Sequence, residues 1–149
     1  MKMNRIKLGL LALVFFVTAT SVQAQERRID FAKLPKAAQN FVNSYFSAKE
    51  VLYVEEDKDF LEPTNYEVKM TDGSKVKFDA KGVWNKIDCK LKAVPRNLIP
   101  DAIKSYVAKR FPNNQIVEIS KSKRKIEVEL TNGIDLVFNN NGQFVRIDD

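Results

Sequence analysis

Histidine is absent from all 149 residues. That removes the Ser–His and Cys–His nucleophile pairs and the usual zinc ligand sets. Cysteine occurs once, at Cys89. A single cysteine allows no internal disulfide, and nothing nearby would stabilise a thiolate. It is expected to be a small buried residue at the end of a strand. Glycine occurs five times, at positions 9, 73, 82, 133 and 142. Glycines so scattered make no phosphate-cradling loop. Carboxylate pairs could act as acid and base, but here they fall on turns and outward strand positions, with no sign of a pocket to shift them. The chain is expected not to be an enzyme.

A membrane-length hydrophobic run is also missing. The longest apolar stretch, Leu8 to Val17, is well short of the roughly 20 residues a span needs. It follows Lys2, Arg5 and Lys7 and precedes Val22-Gln23-Ala24. A basic start, a short apolar run and small residues at −3 and −1 describe a secretory leader. Cleavage is expected after Ala24, giving residues 1–24 as signal peptide, 25–149 as a single domain, and a periplasmic location with no membrane span. Three of the 25 basic residues leave with the leader, so the net charge falls from +6 to +3. No concentrated basic stripe remains, and nucleic acid is not an expected partner.

What is present is a sentence said twice. "LPKAAQNFVNSYF" (34–46) returns as "IPDAIKSYVAKRF" (99–111), and "YEVKMTDGSKVKFDAKGVWNKID" (66–88) returns as "IEVELTNGIDLVFNNNGQFVRID" (126–148). The offset drops from 65 to 60 because "EEDKDFLEPTN" outruns "SKSKRK". Such a period points to a duplicated structural unit. The copies span about 29–90 and 91–149.

Ala38, Phe41, Val42, Tyr45 and Phe46 fall at helical spacing, as do Ile103, Tyr106, Val107 and Phe111. Pro35 and Pro100 suit a first helical turn, and Pro112 closes the second helix. Beyond each helix the apolar residues alternate: Tyr66, Val68, Met70, then Val76, Phe78; and Ile126, Val128, Leu130, then Leu136, Phe138. Asp72-Gly73 and Asn132-Gly133 mark hairpins. "DAKG" and "NNNG" mark further turns. "VLYVEE" and "IVEIS" supply an earlier strand in each copy. Clean alternation means an antiparallel sheet with one face on the core and one toward water. The expected fold is two-layer α+β: a tandem α-β4 unit, about eight strands, both helices on one face.

Continuing the alternation puts Leu52, Val54, Ile87, Cys89, Val145 and Ile147 against the helices. Tyr53, Trp84, Phe144 and Arg146 then face outward, among Glu67, Lys69, Lys75, Lys77, Glu127 and Glu129. Exposed aromatics among mixed charges make a protein-recognition surface. The candidate binding residues are Tyr53, Lys69, Lys77, Trp84, Glu127, Phe144 and Arg146, in a binding or inhibitory module with a periplasmic protein or peptide as partner; a calcium-responsive protein, or a structural or assembly role through the sheet edges, is the alternative. A bulge after each glycine turn would instead rotate Trp84 and Phe144 into the core. Calcium is the one candidate metal, through Asp57, Asp59, Asp79 and Asn139. None of these fits a twelve-residue calcium loop, and Asp and Asn are ordinary turn formers.

The helix pattern, the "YEV-x-[ML]-x-[DN]-G" strand, the "F-[DN]-x-x-G-x-[WF]" turn and the closing "ID", in tandem behind a leader, resemble the PepSY-like periplasmic proteins of Bacteroides. The resemblance covers nearly the whole mature chain. It implies an eight-stranded sheet with helices on one face, a fold like the beta-lactamase inhibitor protein, and no established activity. Some relatives carry a calcium-regulated label. The inhibitor grips its target with the open sheet face, but its cysteines are lacking here, so the likeness is one of fold.

Overall fold

The computed structural model describes residues 25–58 and 60–148. The expected leader and Asp59 lie outside the described residues. Helix α1 is Lys36–Tyr45 and α2 is Asp101–Arg110. Ala38 and Val42 of α1, and Ile103 and Val107 of α2, are buried. Pro35 and Pro100 stand one residue earlier than a first-turn proline. Each is the cap residue, with ψ of 141°, so it delivers the chain extended into the helix.

Nine strands form one antiparallel sheet, ordered as in the chain. They are β1 Gln25–Ile29, β2 Val51–Lys58, β3 Asn65–Met70, β4 Lys75–Phe78, β5 Trp84–Asp88, β6 Ile116–Lys121, β7 Lys125–Leu130, β8 Asp135–Asn139 and β9 Phe144–Asp148. The strand beyond the expected eight is β1, "QERRI". Only Ile29 of its residues reaches the core. The rest is held by its ladder to β2 and by charge: Arg27 Nη2 lies 2.8 Å from Glu56 Oε2, a carboxylate shared with Lys58 of β2, whose Nζ is 3.3 Å from Oε1. Burial disfavours the ionised Glu56, but these two cations outweigh it and lower its pKa.

One apolar residue per strand lines up across the whole sheet. The row runs Ile29, Val54, Val68, Val76, Ile87, Ile119, Val128, Leu136, Ile147. Both helices lie on this face. Phe41 of α1 meets Phe78 edge-on at 5.6 Å, and Tyr106 of α2 meets Phe138 edge-on at 5.4 Å. The copies join at β5–β6, where Lys86, Ile87 and Asp88 pair with Ser120, Ile119 and Glu118.

Four bulges interrupt the ladders, at matching places in the two copies. Leu52 and Val117 are the extra residues in β2 and β6, and Asn85 and Val145 in β5 and β9. A bulge adds one residue and reverses the side-chain parity beyond it. That corrects four placements. Leu52 is 59% exposed and not core. Trp84 pairs with Phe78 and Phe144 with Phe138, so both rings are on the helix side. Trp84 is 6.2 Å from the Phe41 ring, with Lys121 Nζ 3.5 Å from its centroid. Phe144 stacks on Tyr106 at 4.7 Å. Val145, expected inward, is the exposed bulge residue.

The single tryptophan makes this placement measurable. Trp84 emission is expected to be blue-shifted and slow to quench with acrylamide. Trp84→Ala should cost about 2–3 kcal/mol, more than any alanine on the open face. Free-tryptophan-like emission and quenching, with an unchanged melting temperature, would put the ring on the other side.

Candidate binding surface

The face opposite the helices is covered by no element among the described residues. Its side chains come from the alternate strand positions, so its pattern is set by register. One row crosses eight strands: Tyr53, Lys69, Lys75, Asp88, Glu118, Glu129, Asp135, Asp148. The next runs Arg28, Glu55, Glu67, Lys77, Lys86, Ser120, Glu127, Val137, Arg146. Of the seven candidate residues, five are therefore here together: Tyr53, Lys69, Lys77, Glu127 and Arg146. Tyr53 is the aromatic of these two rows, with the Arg28 guanidinium 4.4 Å from its ring centre.

Like charges face each other directly. Lys69 pairs with Lys75 and Lys77 with Lys86. Glu67 bridges Lys75 and Lys77, at 3.1 and 3.5 Å. Beyond them Asp88, Glu118, Glu129, Asp135 and Asp148 stand side by side on five successive strands. Lys90 pairs with Asp88, Lys86 with Glu118 at 2.7 Å, and Arg146 with Asp148 at 3.1 Å. Glu129 and Asp135, in the middle, have no ion pair among the described residues. Burial raises the Glu129 pKa above its ordinary 4.5, and the Asp135, Glu118 and Asp88 carboxylates raise it further. Like charges directly opposite in a sheet destabilise it. The row was invisible in sequence, because it joins residues 60 positions apart through a register that bulges set.

The calcium candidates do not converge. Asp79 Oδ1 accepts the Lys81 and Val83 amides, each at 2.9 Å. Asn139 Oδ1 accepts the Asn141 and Gln143 amides, each at 3.0 Å. Both oxygens thus close the turns in which they sit, by the same bonds in each copy. Asp57 is different. It lines a small cleft on the open face with Glu26, Glu55, Asn65 and Glu67, and its Oδ1 is buried without a hydrogen-bond partner. No cluster of three or more His, Cys, Asp or Glu poised for a metal occurs among the described residues. Cys89 is buried, as expected, and burial with the nearby Asp72 and Asp88 pushes its thiol up to about 11. Little thiolate is expected at neutral pH.

A family profile described as "Putative beta-lactamase-inhibitor-like, PepSY-like" matches residues 20–63 and 64–146. The chain belongs to this PepSY-like family. Solved structures of similar proteins agree. A "putative calcium-regulated periplasmic protein" of Bacteroides thetaiotaomicron is 36% identical, with TM-score 0.79; the match covers 83% of this chain and 97% of that one. A "putative periplasmic protein of unknown function" of Bacteroides vulgatus is 35% identical, with TM-score 0.79, covering 84% and 100%. A second B. vulgatus protein, of the DUF2874 family, is 35% identical, with TM-score 0.77, covering 83% and 97%. No functionally curated protein matches the chain. The PepSY-like relatives are thus described as periplasmic, and none of these descriptions names a reaction.

Proposed function

We propose that this PepSY-like chain is a non-catalytic periplasmic module that binds or inhibits a protein or peptide through the open face of its sheet. The observation that carries this is the alignment of like charges. A face selected only for stability would alternate signs between strands, because opposed pairs stabilise and like pairs do not. Here five carboxylates stand abreast, and four lysines stand beside them. The strain is relieved when an oppositely charged surface covers the face. The acidic row is about 19 Å long at the usual strand spacing, the reach of an extended basic segment. The leader-like pattern of residues 1–24 and the periplasmic descriptions of the relatives support the location.

The test replaces the two unpaired acids together, Glu129→Gln with Asp135→Asn. The free variant should melt about 2–4 °C higher at pH 7 and low salt. The gain should fade on acidification. With a folded pKa above its unfolded value, Glu129 withdraws stability as pH rises through the window above 4.5; below that window it withdraws none. The probe is a ten-residue alternating Lys–Ser peptide, which should bind the parent at low salt and the variant about three- to tenfold more weakly. A variant that melts lower and binds the peptide equally would reduce the row to ordinary surface.

Calcium regulation is a second reading, favoured by the orphaned Asp57 Oδ1 among Glu26, Glu55 and Glu67. Calcium at millimolar concentration would then raise the melting temperature of the parent but not of Asp57→Asn. No shift in either protein removes this reading.

A further inference from the structure

The two copies also differ in how the short turn before each helix is fastened. In the first copy that turn is Phe31–Lys33 and in the second Arg96–Leu98. Phe31 packs against the core. Gln39 of α1 reaches back, its Nε2 donating to Leu34 O at 2.8 Å and to Ala32 O at 3.1 Å. The turn is thereby tied to the helix. At the same helix register, an offset of 65, Arg96 stands for Phe31 and Lys104 for Gln39. Arg96 is exposed. Lys104 makes no such back-bond; its Nζ meets Asp101 Oδ1 at 2.7 Å. The two side chains that fasten the first copy are both cations in the second.

A cavity of about 310 Å³ opens at this place. Its apolar wall includes Val94, Ile99, Val107 and Ile116, and Arg96 and Lys104 stand on it as well. The size is at the lower end for small-molecule sites, which run from about 300 to 1,000 Å³. Asp101 is 95% exposed, so water weakens its hold on Lys104. The ammonium can turn to another anion at little cost. An apolar wall with two cations at its edge calls for a ligand that is apolar at one end and anionic at the other.

We propose that this cavity, on the helix side and independent of the open face, binds an apolar carboxylate. The compact apolar group, of aromatic or branched aliphatic size, lies against Val94, Ile99, Val107 and Ile116. The carboxylate accepts from the Arg96 guanidinium and the Lys104 ammonium. The same chemistry is offered by a free organic acid and by a protein chain ending in an apolar residue.

The test uses the mature protein and methyl-resolved NMR. The probes are 3-phenylpropionate, 3-phenylpropanol, and an acetylated tetrapeptide ending in a free Phe carboxylate. A carboxylate probe should shift the methyls of Val94, Ile99, Val107 and Ile116 saturably at submillimolar to millimolar concentration. Arg96→Ala, at an exposed position, and Lys104→Ala, at a half-buried one, should each weaken it about tenfold while circular dichroism stays unchanged. Ala108→Phe alters an exposed residue of the lining and should abolish the shifts while circular dichroism stays unchanged. Saturation by the free acid alone assigns the site to small acids, and tighter binding of the tetrapeptide assigns it to chain termini. Equal binding of the alcohol would overturn the role of the two cations. No shift from either carboxylate in the folded protein would overturn the site.

Discussion

Phe78→Ala is expected to lower the stability of the mature protein by about 3–5 kcal/mol. The side chain is fully buried, and it carries the edge-on contact with Phe41. Removing it takes the ring out of the face where α1 meets β4 and β5, and it strips one wall from Trp84. Small domains have only about 5–15 kcal/mol in all. The melting temperature should therefore drop by roughly 10–20 °C. The measurement is a urea titration of parent and variant. Phe144→Ala is the internal comparison: it sits 60 residues beyond Trp84 and is 38% exposed, so it should cost about 1–2 kcal/mol. A Phe78 variant no weaker than the Phe144 variant would mean that the helix face is not the core.

Gly82→Ala is the second large effect, for a reason that side-chain burial does not show. Gly82 has φ of +82°, and a Cβ there would lie 2.8 Å from Pro35 Cβ and 2.9 Å from the Ala38 backbone nitrogen. The turn after β4 is pressed against the start of α1. Gly133 has the same φ of +82° with nothing within 4 Å of a new Cβ. Gly133→Ala carries only the left-handed backbone penalty, about 1–2 kcal/mol. Gly82→Ala adds a clash with backbone that cannot rotate away, about 1–3 kcal/mol more. Thermal unfolding of the two variants side by side isolates the clash. Equal losses would mean that the turn does not touch the helix.

The duplication, the helices, the turns and the sheet were legible in sequence, because each rests on local spacing. Ala38 and Val42 betray the helix within four residues, and Asp72-Gly73 betrays the hairpin within two. Strand β1 was not legible. Its "QERRI" has one inward apolar residue, and the strand is tied by Arg27 to Glu56 across 29 positions. The bulges at Asn85 and Val145 decided what alternation alone left open: local spacing allowed Trp84 and Phe144 on either face, and one extra residue puts both on the helix side. The signal was present in both copies: a turn glycine, an aromatic two residues later, and the next inward position three residues beyond the aromatic. Five of the seven candidate binding residues kept their place because they lie on the unshifted side of the bulges. The carboxylate row needed the register of five strands at once, which no local pattern carries.

The strands lie side by side in the order in which they are synthesised. Six of the eight ladders close through a hairpin, and the other two, β1–β2 and β5–β6, close around a single helix. Every ladder joins strands that are neighbours in the chain, which keeps loop closure short for a nine-stranded sheet and favours fast folding. Each copy can also gather its own apolar row before the other exists. A chain made from its N-terminus can therefore begin to fold from its first copy while the second is still being added.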